Sequence, residues 1–294
     1  MKYGIYSPYW EHEWEGDVLF YIKKVKKLGF DILEIPAGGF YKEQDEFFYR
    51  LREESEKHQI SITAGYGPDI AHNIASDDAQ IICTTMAFYE DMFRKMQLGG
   101  IHKLGGGLYG YWPVDYTKPF NKKLELNNSI ANMKALADMA ASYQISLGME
   151  VLNRFEGYLL NTCEEAVAYV NEINRENVYV MLDTFHMNIE EDSIPAAIRL
   201  AGNRLGHLHV GEANRRPPHN RGRINWEDIG LALKEIGYDG DVVMEPFVLQ
   251  GGEVGDSIKI WRDMVDPQDK AALDENVATS LIYLKNALES KHDD

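Results

Sequence analysis

Cysteine is scarce in this chain of 294 residues. Cys83 and Cys163 are the only two, too few for a disulfide framework or a thiolate-rich zinc site. No run of about 18 apolar residues occurs, the length a membrane-spanning helix requires. The opening Met1-Lys2-Tyr3-Gly4-Ile5-Tyr6 has no apolar stretch leading to a small-residue cleavage site. Positive charge is also in deficit: 30 Lys and Arg face 47 Asp and Glu, a formal net charge of −17. That balance argues against nucleic acid, whose binding is dominated by cationic contacts to phosphate, and against anionic membrane surfaces. The basic cluster Lys23, Lys24, Lys26 and Lys27 has the spacing of a solvated helix face. A dinucleotide fingerprint is missing as well. Gly105-Gly106-Gly107 has the wrong spacing and no helix behind it, so neither a nucleotide nor a redox cofactor is expected. These absences leave the expectation of a soluble cytoplasmic protein.

What is present is alternation. With 45% hydrophobic residues there is material for a sizeable core. Short apolar runs read as strands at 4–9, 31–35, 59–64, 100–104, 146–151, 178–182, 205–210 and 241–245. Amphipathic stripes fall between most of them. Val18, Ile22, Val25 and Leu28 form one, ended by Gly29, and residues 84–98 another. Ile130, Met133, Leu136 and Ala140 mark a third. Thr162-Cys163-Glu164-Glu165 fits a capping box, Asn225 caps a helix that Gly237 closes, and Leu273 to Leu288 carry a final stripe. Strands alternating with helices predict repeated βαβ units on a parallel sheet. Eight units with no linker-like composition shift favour one (β/α)₈ TIM barrel over residues 1–294, with a doubly wound open sheet as the alternative.

In such a barrel, chemistry gathers where strands end and βα loops begin. Four late strands end in groups able to bind a metal: Glu150, Asp183, His209 and Glu245. Period-two alternation places Gly148, Met181, His207 and Val243 one layer beneath them. Carboxylates beside one imidazole suit Mn²⁺, Co²⁺ or Mg²⁺ with room left for substrate oxygens. A lone strand-end carboxylate is more often a helix cap, and a lone strand histidine a core residue; four at consecutive strand ends are harder to attribute to chance. Polar groups recur just beyond these ends, at Glu156, His186 and Arg215. Tyr6, Trp14, Trp112 and Phe247, also near strand ends, could wall a sugar site by stacking on its C–H faces.

The runs Glu150-Val151-Leu152-Asn153-Arg154-Phe155-Glu156, Leu182-Asp183-Thr184-Phe185-His186-Met187, His207-Leu208-His209-Val210-Gly211-Glu212-Ala213-Asn214-Arg215 and Val243-Met244-Glu245-Pro246-Phe247 closely resemble the ketose 3-epimerases, the family of D-tagatose and D-allulose (D-psicose) 3-epimerases. The likeness extends from Gly4-Ile5-Tyr6 to Trp261-Arg262-Asp263. It implies a xylose-isomerase-like barrel and a divalent metal, usually Mn²⁺ or Co²⁺, held by Glu150, Asp183, His209 and Glu245. Glu156, His186 and Arg215 fall where the family holds the O1–O3 end of the substrate. Tyr6, Trp14, Trp112 and Phe247 fall where it lines the pocket. A homodimer or homotetramer is implied too.

The implied reaction inverts C3 of a free ketose through a cis-enediolate, with Glu150 and Glu245 as the acid/base pair on opposite faces of C3. D-Fructose/D-allulose is the first expectation for the substrate pair, with D-tagatose/D-sorbose and L-ribulose behind it. Two features depart from the family pattern. The segment after Arg215 is one residue longer than usual, and Tyr66 stands where relatives carry residues such as His or Cys. An aldose–ketose isomerase, another sugar-processing enzyme of this barrel type and a non-catalytic metal- or sugar-binding protein are the competing readings.

Overall fold

The computed structural model describes residues 1–290. Its strands are β1 (Lys2–Tyr6), β2 (Ile32–Pro36), β3 (Ser61–Gly65), β4 (Lys103–Gly106), β5 (Ser146–Glu150), β6 (Val178–Asp183), β7 (Leu205–Val210) and β8 (Asp241–Met244). All pair in parallel, in sequence order, and β1 pairs with β8 to close the barrel. The open-sheet alternative is thereby excluded. Almost every strand residue is buried, as expected where helices cover the outer face and side chains fill the interior.

The helices follow from the stripes. Val25 and Ile22 are fully buried on α1 (Val18–Leu28), and Gly29 ends it with φ +91°. α3 (Ala79–Leu98) begins five residues before the stripe suggested, because Asp78 caps it by accepting from Gln80 N. α4 (Lys122–Ser142) and α5 (Cys163–Ile173) follow β4 and β5. The Thr162 hydroxyl accepts from Glu165 N as the capping box predicts, but the Glu165 carboxylate accepts from Asn161 N at 2.7 Å, one residue earlier than that motif requires. Asn225 caps α8 (Trp226–Glu235) through Asp228 N. α10 (Lys270–Glu289) packs against α8 and α1 and completes the outer ring.

Several bounds differ from the sequence expectation for identifiable reasons. The first strand stops at Tyr6, since Ser7–Trp10 turn into a 3₁₀ helix with Pro8 in its first turn. The fourth starts at Lys103 and runs on to Gly106, because Gly99 and Gly100 are spent in ending α3. α2 (Asp45–His58) escapes the periodicity reading: it buries only Phe48, Leu51 and Ser55 on an otherwise charged surface. The short α6 (Thr184–Glu190) and α9 (Gly252–Ile258) also lie where no stripe was read, and α7 (Ile194–Ala201) follows α6, capped by Ser193. Among the described residues, no helix is long and apolar enough to cross a membrane.

Candidate active site

Alternation leaves one inward-facing side chain at the mouth end of each strand. On β5 it is Glu150, on β6 Asp183 and on β7 His209, while Glu245 follows β8 directly. One donor atom from each lies within 4.8 Å of the others. His209 Nδ1 is 3.4 Å from both Glu150 Oε1 and Glu245 Oε1. Neither His209 Nδ1 nor Glu150 Oε1 has a hydrogen-bond partner, although both are buried. Buried polar atoms are nearly always satisfied, so a converging orphaned pair is the mark of a missing partner. Three carboxylates and one imidazole without a thiolate suit an oxygen-preferring divalent cation. The cluster fits a divalent-metal site.

Burial sets the electrostatics. It raises the carboxyl of Glu150 above its usual range, with Asp183 adding to the effect and His209 opposing it. It raises Asp183 likewise, against the pull of His186 and Arg215. Asp183 does two things at once. Its Oδ1 accepts from Phe185 N at 2.6 Å and caps α6, while its Oδ2 lies 3.4 Å from Arg215 Nη1. Capping and a place in the cluster, alternatives for a strand-end carboxylate in the sequence, are combined in one residue.

Arg215 is buried and reaches three elements. It donates from Nη1 to Glu245 Oε2 at 2.7 Å and from Nη2 to Glu156 Oε1 at 3.2 Å, and its guanidinium lies 3.7 Å from the centre of the Phe185 ring. Its backbone is left-handed, with φ +64°, a conformation that persists only where surroundings enforce it. Arg215 N donates to Glu212 O at 2.8 Å, and Phe247 N donates to Arg215 O at 2.9 Å. The loop after it is pinned on the buried Glu212 carboxylate, which accepts from Trp226 Nε1, His219 N and Arg223 N. Any added length in this loop is therefore held in place from below.

His186 Nδ1 accepts from Asn153 N at 3.1 Å and from Asn153 Nδ2 at 2.8 Å. Burial pushes its pKa down to about 3, with Arg215 assisting and Asp183 opposing. The imidazole is neutral, and since Nδ1 accepts, its hydrogen resides on Nε2. Asn153 was not singled out in the sequence, although it lies inside the run that joins Glu150 to Glu156.

A cavity of about 370 Å³ opens over the cluster. Every predicted site residue lines it except Asp183, which is 1% exposed and sits just beneath. Trp14 meets Trp112 and Phe247 edge-on at 6.2 Å, and Tyr6 meets Phe247 edge-on at 6.2 Å. Burial, reinforced by Glu245, Glu34 and Glu150, holds the Tyr6 hydroxyl far above its ordinary pKa, so it keeps its proton. Tyr66 lines the cavity too. So does the glycine triplet at the end of β4: Gly106 has φ +126°, and a Cβ there would lie 2.2 Å from Tyr66 O. Glu34 and Thr63, under His209, were not anticipated; a single carboxylate in the apolar run of β2 gives no sign of its partner.

The model of xylose isomerase-like TIM barrels matches residues 22–266. The chain is 48% identical over 289 residues to the D-psicose 3-epimerase of Ruminiclostridium cellulolyticum, covering 98% of each protein. It is 48% identical to that of Enterocloster bolteae, over 97% of this chain and 95% of the other. Among solved structures, D-psicose 3-epimerase with D-tagatose from Clostridium cellulolyticum H10 superimposes with a TM-score of 0.96 at 48% identity, covering 98% of this chain and 99% of that one. A xylose isomerase-like barrel, a four-residue metal cluster and near-full-length similarity to these enzymes make this chain a member of the ketose 3-epimerase family.

Proposed function

We propose that the enzyme inverts C3 of free ketoses, D-fructose/D-allulose foremost, with D-tagatose/D-sorbose and L-ribulose as further substrates, and that Glu150 and Glu245 exchange the C3 proton. The observation that carries this reading is the placement of both carboxylates 3.4 Å from one imidazole nitrogen at the floor of a sugar-sized cavity. Glu150, Asp183, His209 and Glu245 would hold the divalent ion, Mn²⁺ or Co²⁺ by preference, which supplies Lewis-acid stabilisation of the charge that grows on the substrate oxygens.

The proton at C3 is weakly acidic because it lies α to the C2 carbonyl. One glutamate, ionised, removes it from one face, and the other, protonated, returns it on the opposite face. Either can begin, so the reaction runs both ways without a redox cofactor. Arg215 and the Nε2–H of His186 donate to the O1–O2 end and neutralise enediolate charge. Glu156 accepts from the O1–O3 end and shares Arg215. Trp14, Trp112, Phe247 and Tyr6 wall the sugar's C–H faces and keep water from the reacting carbon. The same reading makes the protein a cytoplasmic homodimer or homotetramer, which light scattering tests.

Turnover of D-fructose in D₂O by the Mn²⁺-loaded enzyme is the direct test. D-Allulose carrying deuterium at C3 is expected. An aldose carrying deuterium at C2 would identify an aldose–ketose isomerase instead, and no product from any ketose would favour a binding protein. In Glu150→Gln and Glu245→Gln, kcat should fall by about 10²- to 10⁴-fold. Near-normal turnover in either variant with metal bound would overturn the two-base assignment.

A further inference from the structure

Beneath the metal cluster the barrel interior is polar. Glu34, the middle residue of β2, is 2% exposed and crosses the interior to His209 on β7, with its Oε1 2.5 Å from His209 Nε2. Its other oxygen accepts from Thr63 Oγ1 at 2.7 Å, and Thr63 is its register partner on β3. His207 Nε2 lies 3.2 Å from that same oxygen. The carboxylate is therefore anchored at one oxygen and directed at His209 with the other.

An ionised carboxylate has only acceptors, so the hydrogen between Glu34 Oε1 and His209 belongs to Nε2. A neutral imidazole protonated at Nε2 presents its lone pair at Nδ1. That is the atom facing Glu150 and Glu245 with no hydrogen-bond partner. We propose that Glu34 is a positioning residue for the metal: it fixes the Nε2–H tautomer of His209, aims Nδ1 at the cluster and strengthens it as a donor. Metal-binding histidines are commonly oriented through the far ring nitrogen in this way. The inference rests on the metal reading above.

Glu34, His207 and His209 also lie close enough together to suggest a second cation site. The geometry argues against one. A separation of 2.5 Å between His209 Nε2 and Glu34 Oε1 is a hydrogen-bond distance that leaves no space for an ion between them. His207 has its own surroundings, with Nδ1 4.0 Å from an Asp241 carboxylate that Lys103 neutralises at 2.6 Å.

The test is Mn²⁺ affinity by chelator competition in the wild type, Glu34→Gln and Thr63→Val, with ¹⁵N-histidine NMR of the Mg²⁺-loaded wild type. Glu34→Gln should weaken Mn²⁺ binding by about 10- to 100-fold, and Thr63→Val by a smaller factor. The NMR should show His209 protonated at Nε2, with its Nδ1 resonance shifting as Mg²⁺ is added. Affinity in folded Glu34→Gln within about twofold of wild type, or a wild-type His209 protonated at Nδ1, would overturn the proposal. Should Glu34→Gln fail to fold, the wild-type tautomer and the Thr63→Val affinity decide. A wild type that binds no divalent ion would overturn the metal reading itself, whereas normal binding with an unaffected Glu34→Gln overturns only the role of Glu34.

Discussion

The two halves of the barrel treat the same cavity differently. β5 to β8 bring Glu150, His209 and Glu245 to its floor, with Asp183 just beneath. β1 to β4 end instead in Tyr6, Pro36, Gly65 and Gly106, which offer two rings and two absent side chains. One half concentrates charge; the other makes room and supplies part of the wall. In a closed sheet the two can vary independently, so chemistry can be held constant while the space around the substrate changes. Glu34 crosses this division, reaching from the spacious half to His209 on the charged half.

The division makes graded predictions. Dialysis against a chelator acts on the charged half alone and should lower kcat by about 10³-fold, since Lewis-acid stabilisation is worth several kcal/mol. Mn²⁺ should restore it, and retention of half the activity in verified metal-free protein would break the scheme. Arg215→Ala removes charged hydrogen bonds worth about 1.5–3 kcal/mol each. It should reduce kcat/KM by about 10- to 100-fold, mainly through KM, and an unchanged KM would remove Arg215 from the substrate.

Predictions for the spacious half are smaller and of another kind. Gly106→Ala combines an unfavourable φ with a clash against Tyr66 O. At about 1–3 kcal/mol it should lower Tm by roughly 2–5 °C and leave Mn²⁺ affinity unchanged. Tyr66→Phe should alter the ratio of kcat/KM for D-fructose over D-tagatose by about two- to tenfold, since one wall contact is worth about 1 kcal/mol. A variant with the wild-type ratio would show that Tyr66 has no part in substrate choice.

The charged half was the legible one. Its residues stand at strand ends, where period-two alternation and the rule of βα loops point to them without any knowledge of contacts. Glu34 and Thr63 carry no such signal, because their meaning depends on a histidine 175 residues beyond Glu34 on a non-adjacent strand. Asn153 is hidden for a different reason: its main effect is on the proton of His186. Helix α2 went unread because three buried residues in fourteen leave a stripe too narrow to stand out. The glycine triplet lacks the spacing of a nucleotide loop, and its place in the wall of the cavity depends on Tyr66 lying against it.

The crowding of Glu150, Glu156, Asp183 and Glu245 around one guanidinium also has a thermodynamic consequence. A native state that gathers four carboxylates against a single fixed cation works against its own charge, and burial leaves Glu150 and Asp183 holding protons more readily than usual. A divalent ion that binds only the folded form relieves that repulsion, and its loading releases protons. By mass action it adds about 2.7 kcal/mol to folding stability when free ion exceeds its dissociation constant a hundredfold. The melting temperature should therefore record the metal supply of the surroundings, and the protein should last longest where it is also able to work.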